Sequence, residues 1–84
     1  MTPFWAQGQA LEVSAGPEQP AALRWEKRDH PVRTISSHWR VHIRWWAESE
    51  IFRDYWEVTT ETGLLCVLYQ DLLEGSWYLE RIYA

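Results

Sequence analysis

Ile35-Ser36-Ser37-His38-Trp39-Arg40-Val41-His42-Ile43-Arg44-Trp45-Trp46 is the stretch that decides the fold. From Trp39 onward it alternates without a break. Successive side chains of an extended strand point to opposite faces. Trp39, Val41, Ile43 and Trp45 therefore share one face, and Arg40, His42, Arg44 and Trp46 the other. The first face suits a core. The second is cationic and ends in an indole. A helical reading competes, because Ile35, Trp39, Ile43 and Trp46 also form a stripe at i, i+4, i+8 and i+11. Val, Ile and Trp favour strands, and the flanking segments read as strands too. The preferred reading is a bent strand, with room for a helical turn around Thr34 to His38.

Parity carries the bend. Val32 is even-numbered, whereas Ile35, Trp39 and Val41 are odd. All four can face one core only if one residue is inserted, so a bulge is expected near Ser36-Ser37. The strand itself runs from His30 to about Trp46, with Pro31 near its start, where a missing N–H is tolerated.

Working outward, residues 1–9 read as a flexible N-terminal arm and 10–84 as a single β domain. Ala10–Ser14 and Ala21–Lys27 are short strands joined by a Pro- and Gly-rich link, and Arg28-Asp29 reverses the chain. Ala47–Ile51 reads as a loop or one helical turn, and Phe52–Glu61 as the next strand. Thr62-Gly63 gives a hairpin turn. Leu64–Tyr69 is apolar on both faces, as a central or barrel strand is. Asp71–Gly75 is a turn and Ser76–Tyr83 the last strand. The expected fold class is all-β. It is a small, strongly twisted antiparallel sheet or half-open barrel of five or six strands, closing as a three-strand meander.

Eighty-four residues make a small domain that must offset backbone entropy of roughly 1–2 kcal/mol per residue. One cysteine, Cys66, rules out an internal disulfide. Seven Trp, four Tyr and two Phe supply the alternative. Each ring buries roughly 150–250 Å², at about 25 cal/mol per Å². The formal net charge of −4 argues against a general nucleic-acid coat. Residues 1–46 carry six basic side chains against four acidic, and residues 47–84 carry two against eight. Neutralisation across adjacent strands is the plain reading of that asymmetry. A local basic patch at Arg40 and Arg44 is the sharper one. Met1–Trp5 lacks a signal peptide's basic start and apolar run, and no window approaches the ~20 apolar residues of a membrane span. A cytoplasmic protein without membrane contact is expected.

Catalytic patterns are absent. On a strand His38 and His42 stand roughly 13 Å apart, too far to share a metal ion. Cys66 lies between Leu65 and Val67, in the setting of a structural thiol. The glycines are too scattered for a phosphate loop. No enzyme activity, cofactor or metal is expected. What remains is a surface: Arg40, His42, Arg44 and Trp46. Arg beside Trp is the composition of a protein-interface hot spot, and also of a platform for single-stranded nucleic acid.

Leu23-Arg24-Trp25, His30-Pro31-Val32, Trp39-Arg40, Trp45-Trp46, Arg53-Asp54-Tyr55-Trp56, Leu68-Tyr69-Gln70-Asp71 and Trp77-Tyr78-Leu79 follow one another in order. The series resembles a small uncharacterised bacterial domain family, over about residues 21–84. That family occurs as standalone proteins and at the C-terminus of Y-family DNA-polymerase-like mutasome proteins. The resemblance implies a bacterial, cytoplasmic, non-catalytic module linked to DNA repair or translesion synthesis. It carries over no catalytic residue. The leading expectation is an interaction or accessory module that docks a protein partner through the Arg40/His42/Arg44/Trp46 face or an open strand edge. Such an edge would also permit self-association. The alternative is a single-stranded nucleic-acid-binding module, which the net charge disfavours.

Overall fold

A computed structural model describes residues 8–16, 18–46 and 49–83 of the chain. Six strands make up the fold: β1 (Gln9–Ala15), β2 (Pro20–Trp25), β3 (Arg28–Trp46), β4 (Ser49–Thr60), β5 (Leu65–Asp71) and β6 (Trp77–Ile82). They pair in sequence order, all antiparallel, and β1 closes on β6 to complete a barrel. The all-β class and the C-terminal meander are as the sequence implies, but the barrel is closed rather than half-open. The closing seam is short: Gln9 pairs with Leu79, Ala10 with Tyr78 and Leu11 with Trp77. The N-terminal arm expected over 1–9 mostly lies outside the described residues. Gln9 is already in β1, and the Gly8 amide donates to the Tyr69 hydroxyl at 2.8 Å.

Local chemistry sets the turns. Trp25 pairs with Arg28, so β2 and β3 are joined by two residues, Glu26 and Lys27, both with positive φ. That backbone fits the twist of a two-residue hairpin. The reversal thus falls two residues before the expected Arg28-Asp29. Gly63 (φ 96°) and Gly75 (φ 87°) occupy the left-handed positions of the later hairpins. Asp71 organises the β5–β6 turn, its carboxylate accepting from the Leu73 and Glu74 amides.

β3 holds the main departure from expectation. Val32 pairs with Thr60 and Thr34 with Thr59, leaving Arg33 extra; Ile35 pairs with Val58 and Ser37 with Glu57, leaving Ser36 extra. The bulge at Ser36 lies where one is expected; the one at Arg33 is additional, and Trp45 is a third extra residue, between the Arg44–Glu50 and Trp46–Ser49 pairs. The bulge at Arg33 keeps Val32 and Ile35 on the same inward face. The one at Ser36 then turns the strand over, because a single extra residue swaps its faces. Trp39 and Val41 consequently lie on the outside of the barrel, and Trp39 is 40% exposed. The cationic series Arg40, His42, Arg44 continues the inward face instead. A straight 19-residue strand would span roughly 60 Å; the molecule's longest axis is 41 Å, so β3 curves.

Two apolar clusters result. Inside the barrel, Leu23, Trp56, Val58, Cys66, Leu68 and Leu79 pack with partly buried side chains of β1, β2, β3 and β6, so that every strand contributes to the core. Outside, Tyr55, Val67, Tyr69 and Tyr78 form a second cluster with Val41 against it. Register aligns its rings, since Trp39 pairs with Tyr55, Tyr55 with Tyr69 and Tyr69 with Tyr78. Centroids in this cross-strand row lie 5.4, 5.0 and 5.2 Å apart, within the favourable range for aromatic pairs. The Arg53 guanidinium lies over the Tyr69 ring at 4.4 Å.

Two buried polar side chains, Thr60 and His30, are linked through the exposed Thr62 at the β4–β5 hairpin. The Leu64 amide donates to Thr60 Oγ1 at 3.0 Å, Thr60 and Thr62 hydroxyls meet at 2.8 Å, and Thr62 meets His30 Nδ1 at 2.6 Å. His30 Nε2 then reaches the Trp25 carbonyl at 3.3 Å and must be the donor there. In the neutral ring the other directions follow, with the Thr62 hydroxyl donating to Nδ1. Thr60→Val keeps the shape but leaves the Leu64 amide and Thr62 without their partner. Urea unfolding should show a loss of about 1–3 kcal/mol. Burial pushes the Cys66 thiol up to about 11. In the native protein near neutral pH, a disulfide reagent such as DTNB should therefore react with it at the rate of unfolding.

Candidate functional site

Beyond Arg53, which pairs with Asp71, β5 ends and β3 and β4 continue alone as a two-stranded ribbon. The strand expected from Phe52 begins at Ser49, so most of the loop or helical turn expected over Ala47–Ile51 is strand. Ala47 and Glu48 lie outside the described residues. Direct cross-strand pairs order the ribbon's inward-continuing face: His38 opposite Trp56, Arg40 opposite Asp54, His42 opposite Phe52 and Arg44 opposite Glu50.

Each expected site residue can be placed on this ladder. Arg40 donates from Nε to Asp54 Oδ1 at 2.7 Å and from Nη2 to Oδ2 at 3.1 Å. Its guanidinium also sits 5.5 Å from the Phe52 ring centroid. His42 Nε2 meets Glu50 Oε2 at 2.5 Å, and Arg44 Nη2 reaches the same oxygen at 3.4 Å. The His42 ring leans on Phe52 with centroids 4.3 Å apart. Trp46 contributes backbone pairing with Ser49; its side chain lies outside the described residues. Arg40, His42 and Arg44 thus share a face, as the alternation requires, but they do not form a free basic patch. Carboxylates of β4 neutralise them, which is the plain reading of the charge asymmetry.

Sequence reasoning missed several partners. His38 stacks flat on Trp56, centroids 3.6 Å apart and planes within 7°, and its Nε2 lies 3.6 Å from Asp54 Oδ1. Asp54 is only 8% exposed although charged, and Arg53, on the opposite face, is 6% exposed and donates to the Tyr55 hydroxyl at 3.0 Å. Only the register could have signalled these pairs, and the bulges that set it are invisible to composition.

The ion pairs shift their acids. The Arg40 hydrogen bonds hold the Asp54 carboxyl below its ordinary 3.8, against a burial effect that raises it. The His42 hydrogen bond likewise lowers Glu50 from 4.5. Among the described residues no three His, Cys, Asp or Glu gather where they could hold a metal ion, and no helix is long and apolar enough to cross a membrane.

The fold and ladder define a small all-β barrel with a projecting, internally neutralised ribbon. Residues 4–83 match the family model of a domain of unknown function (DUF6504), and the chain belongs to that family. No curated protein and no solved structure matches it.

A carboxyl whose folded-state pKa is depressed adds stability above its ordinary pKa and loses that contribution as pH falls through the depressed value. Stability should therefore decline below about pH 4, where unfolded carboxylates take up protons. Asp54→Asn should be less stable than wild type at neutral pH, and the difference should shrink as the pH is lowered. Chemical denaturation across pH 2–7, in roughly half-unit steps, reads both trends.

Proposed function

We propose that the chain is a non-catalytic interaction module whose docking element is the open edge of β3. The carrying observation is that β3 pairs with β2 only from Arg28 to Pro31, whereas β4 covers its other side from Val32 to Trp46. Closing the barrel leaves only shorter edges elsewhere, such as Ser49–Phe52 of β4, whereas this long one stays unpaired by any described strand. An exposed edge is a template for an added strand, with main-chain bonds for affinity and alternate side chains for specificity. The neutralised ladder supports a protein partner over single-stranded nucleic acid, because the cations that would hold phosphates already hold Asp54 and Glu50. The resemblance to domains appended to mutasome proteins makes the partner a bacterial, cytoplasmic component of DNA repair or translesion synthesis.

Ile43→Pro tests the reading. Proline breaks the ladder on which a further strand would form. Ile43 lies beyond the last β4–β5 pair, so the barrel should keep its near-UV circular dichroism and melting temperature. A bacterial partner retained by the immobilised wild-type chain should be lost with this variant. Equal retention by both would remove the edge from consideration. A concentration-dependent dimer in sedimentation, abolished by the same substitution, would instead assign the edge to a second copy of the chain.

A further inference from the structure

Where β3 diverges from β2, a cleft of about 260 Å³ opens at the mouth of the barrel. Arg40, Asp54, Trp56, Gln70 and Trp77 line one side, and the β1–β2 link, including Gly16 and Glu18, lines the other. Three features of its chemistry point the same way. First, Asp54 occupies only the Nε/Nη2 edge of Arg40, leaving the end-on Nη1/Nη2 edge without a hydrogen-bond partner among the described residues. A guanidinium has five N–H donors and can serve a second planar acceptor on that edge. Second, Trp56 is 6% exposed and its indole Nε1–H has no acceptor among the described residues. Buried indole donors normally have one. Third, Gln70 is anchored by donating to the Gly75 carbonyl at 3.2 Å, so the wall beside the pair is fixed.

We propose that this cleft binds a carboxylate, with the end-on edge of Arg40 taking its two oxygens and the Trp56 indole N–H as a further donor. A planar two-oxygen acceptor matches a planar fork. A phosphate dianion does not, because among the described residues Arg40 is the one cation lining the cleft, and Asp54 and Glu18 also line it. The Asp54 charge is met by the other edge of Arg40 and by His38 at 3.6 Å. The volume suits one small acid or one acidic side chain, whose apolar part can rest against Trp77. The site stands apart from the β3 edge and is independent of whether that edge recruits a partner.

Two-dimensional ¹H–¹⁵N spectra of the full chain test the assignment. The probes are benzoate, an acetylated and amidated Gly-Glu-Gly peptide, benzamide and inorganic phosphate. The Trp56 indole and Arg40 Nε–H signals should shift saturably with benzoate, with the glutamyl peptide, or with both. Benzoate alone marks a free acid as the ligand, and the peptide alone marks an acidic side chain. Trp56→Phe removes the indole donor, and Arg40→Lys keeps the charge but not the fork. Each should weaken binding by about tenfold, the order of one charge-assisted or buried hydrogen bond. If Arg40→Lys does not fold, the wild-type titrations and Trp56→Phe decide the question alone. Saturation by neither carboxylate, or equal shifts from benzamide or phosphate, would overturn the proposal.

Discussion

A β-strand swaps faces with every residue, and between Val32 and Ser37 β3 carries two residues more than β4. Nearly everything else in the molecule depends on where those two sit. Arg33 keeps Val32 and Ile35 together inside the barrel. Ser36 then hands the inside over to the even-numbered residues from His38 onward. Without the second bulge, Trp39 and Val41 would point into the barrel and the charged series out to solvent. With it, His38 lands on Trp56, Arg40 on Asp54, and Trp39 joins the outer row of tyrosines. Bulges also bend and twist the strand that bears them, so one feature supplies both the curvature that lets β3 share in a barrel and the inversion that loads its far end with charge.

The consequence for stability is a domain with apolar packing on both sides of one sheet. Six strands cannot enclose much, yet Val58, Cys66 and Leu68 are completely buried inside. The tyrosine row adds a second apolar layer outside, where Tyr69 is also fully buried. This explains why β5 reads as apolar on both faces: Cys66 and Leu68 face inward, Val67 and Tyr69 outward, and both sides are covered. It also explains how a chain with a single, buried cysteine manages without cross-links. Aromatic area replaces them, and the polar chain from Leu64 through Thr60 and Thr62 to His30 fixes the hairpin end of the barrel without leaving a donor idle.

The parts of this fold that follow from period and turn chemistry were legible. Leu11 and Val13, Leu23 and Trp25, and the doubly apolar β5 all read correctly as strands. Thr62-Gly63 and Asp71–Gly75 read correctly as turns. The two-faced character of 39–46 was legible as well, but the assignment of its faces was not. The parity of Val32 against Ile35 calls for one inserted residue, and a bulge does lie at Ser36 as expected, but the additional insertion at Arg33 reverses which set of residues from His38 onward faces inward. Two bulges between Val32 and His38 leave no trace in the parity of the residues that flank them. The pairing of Arg40 with Asp54 and of Arg44 with Glu50 depends on the same register. The halves of the chain showed opposite charge excesses, and that excess is spent largely across the β3–β4 hairpin.

That expenditure bears on how an unpaired edge can persist. A long flat apolar edge would join any strand it met. This one is bulged at Arg33, Ser36 and Trp45, bent along its length and flanked by charged side chains. Bulges disrupt the regular spacing of outward N–H and C=O groups, and paired charges keep the ribbon's face polar without giving it a net field that would attract nucleic acid indiscriminately. A partner strand must match that irregular spacing to bind, so the features that suppress indiscriminate pairing also make the edge selective. The same divergence of β3 from β2 that frees the edge opens the cleft beside Arg40. Edge and cleft are thus two results of one strand outrunning its neighbour.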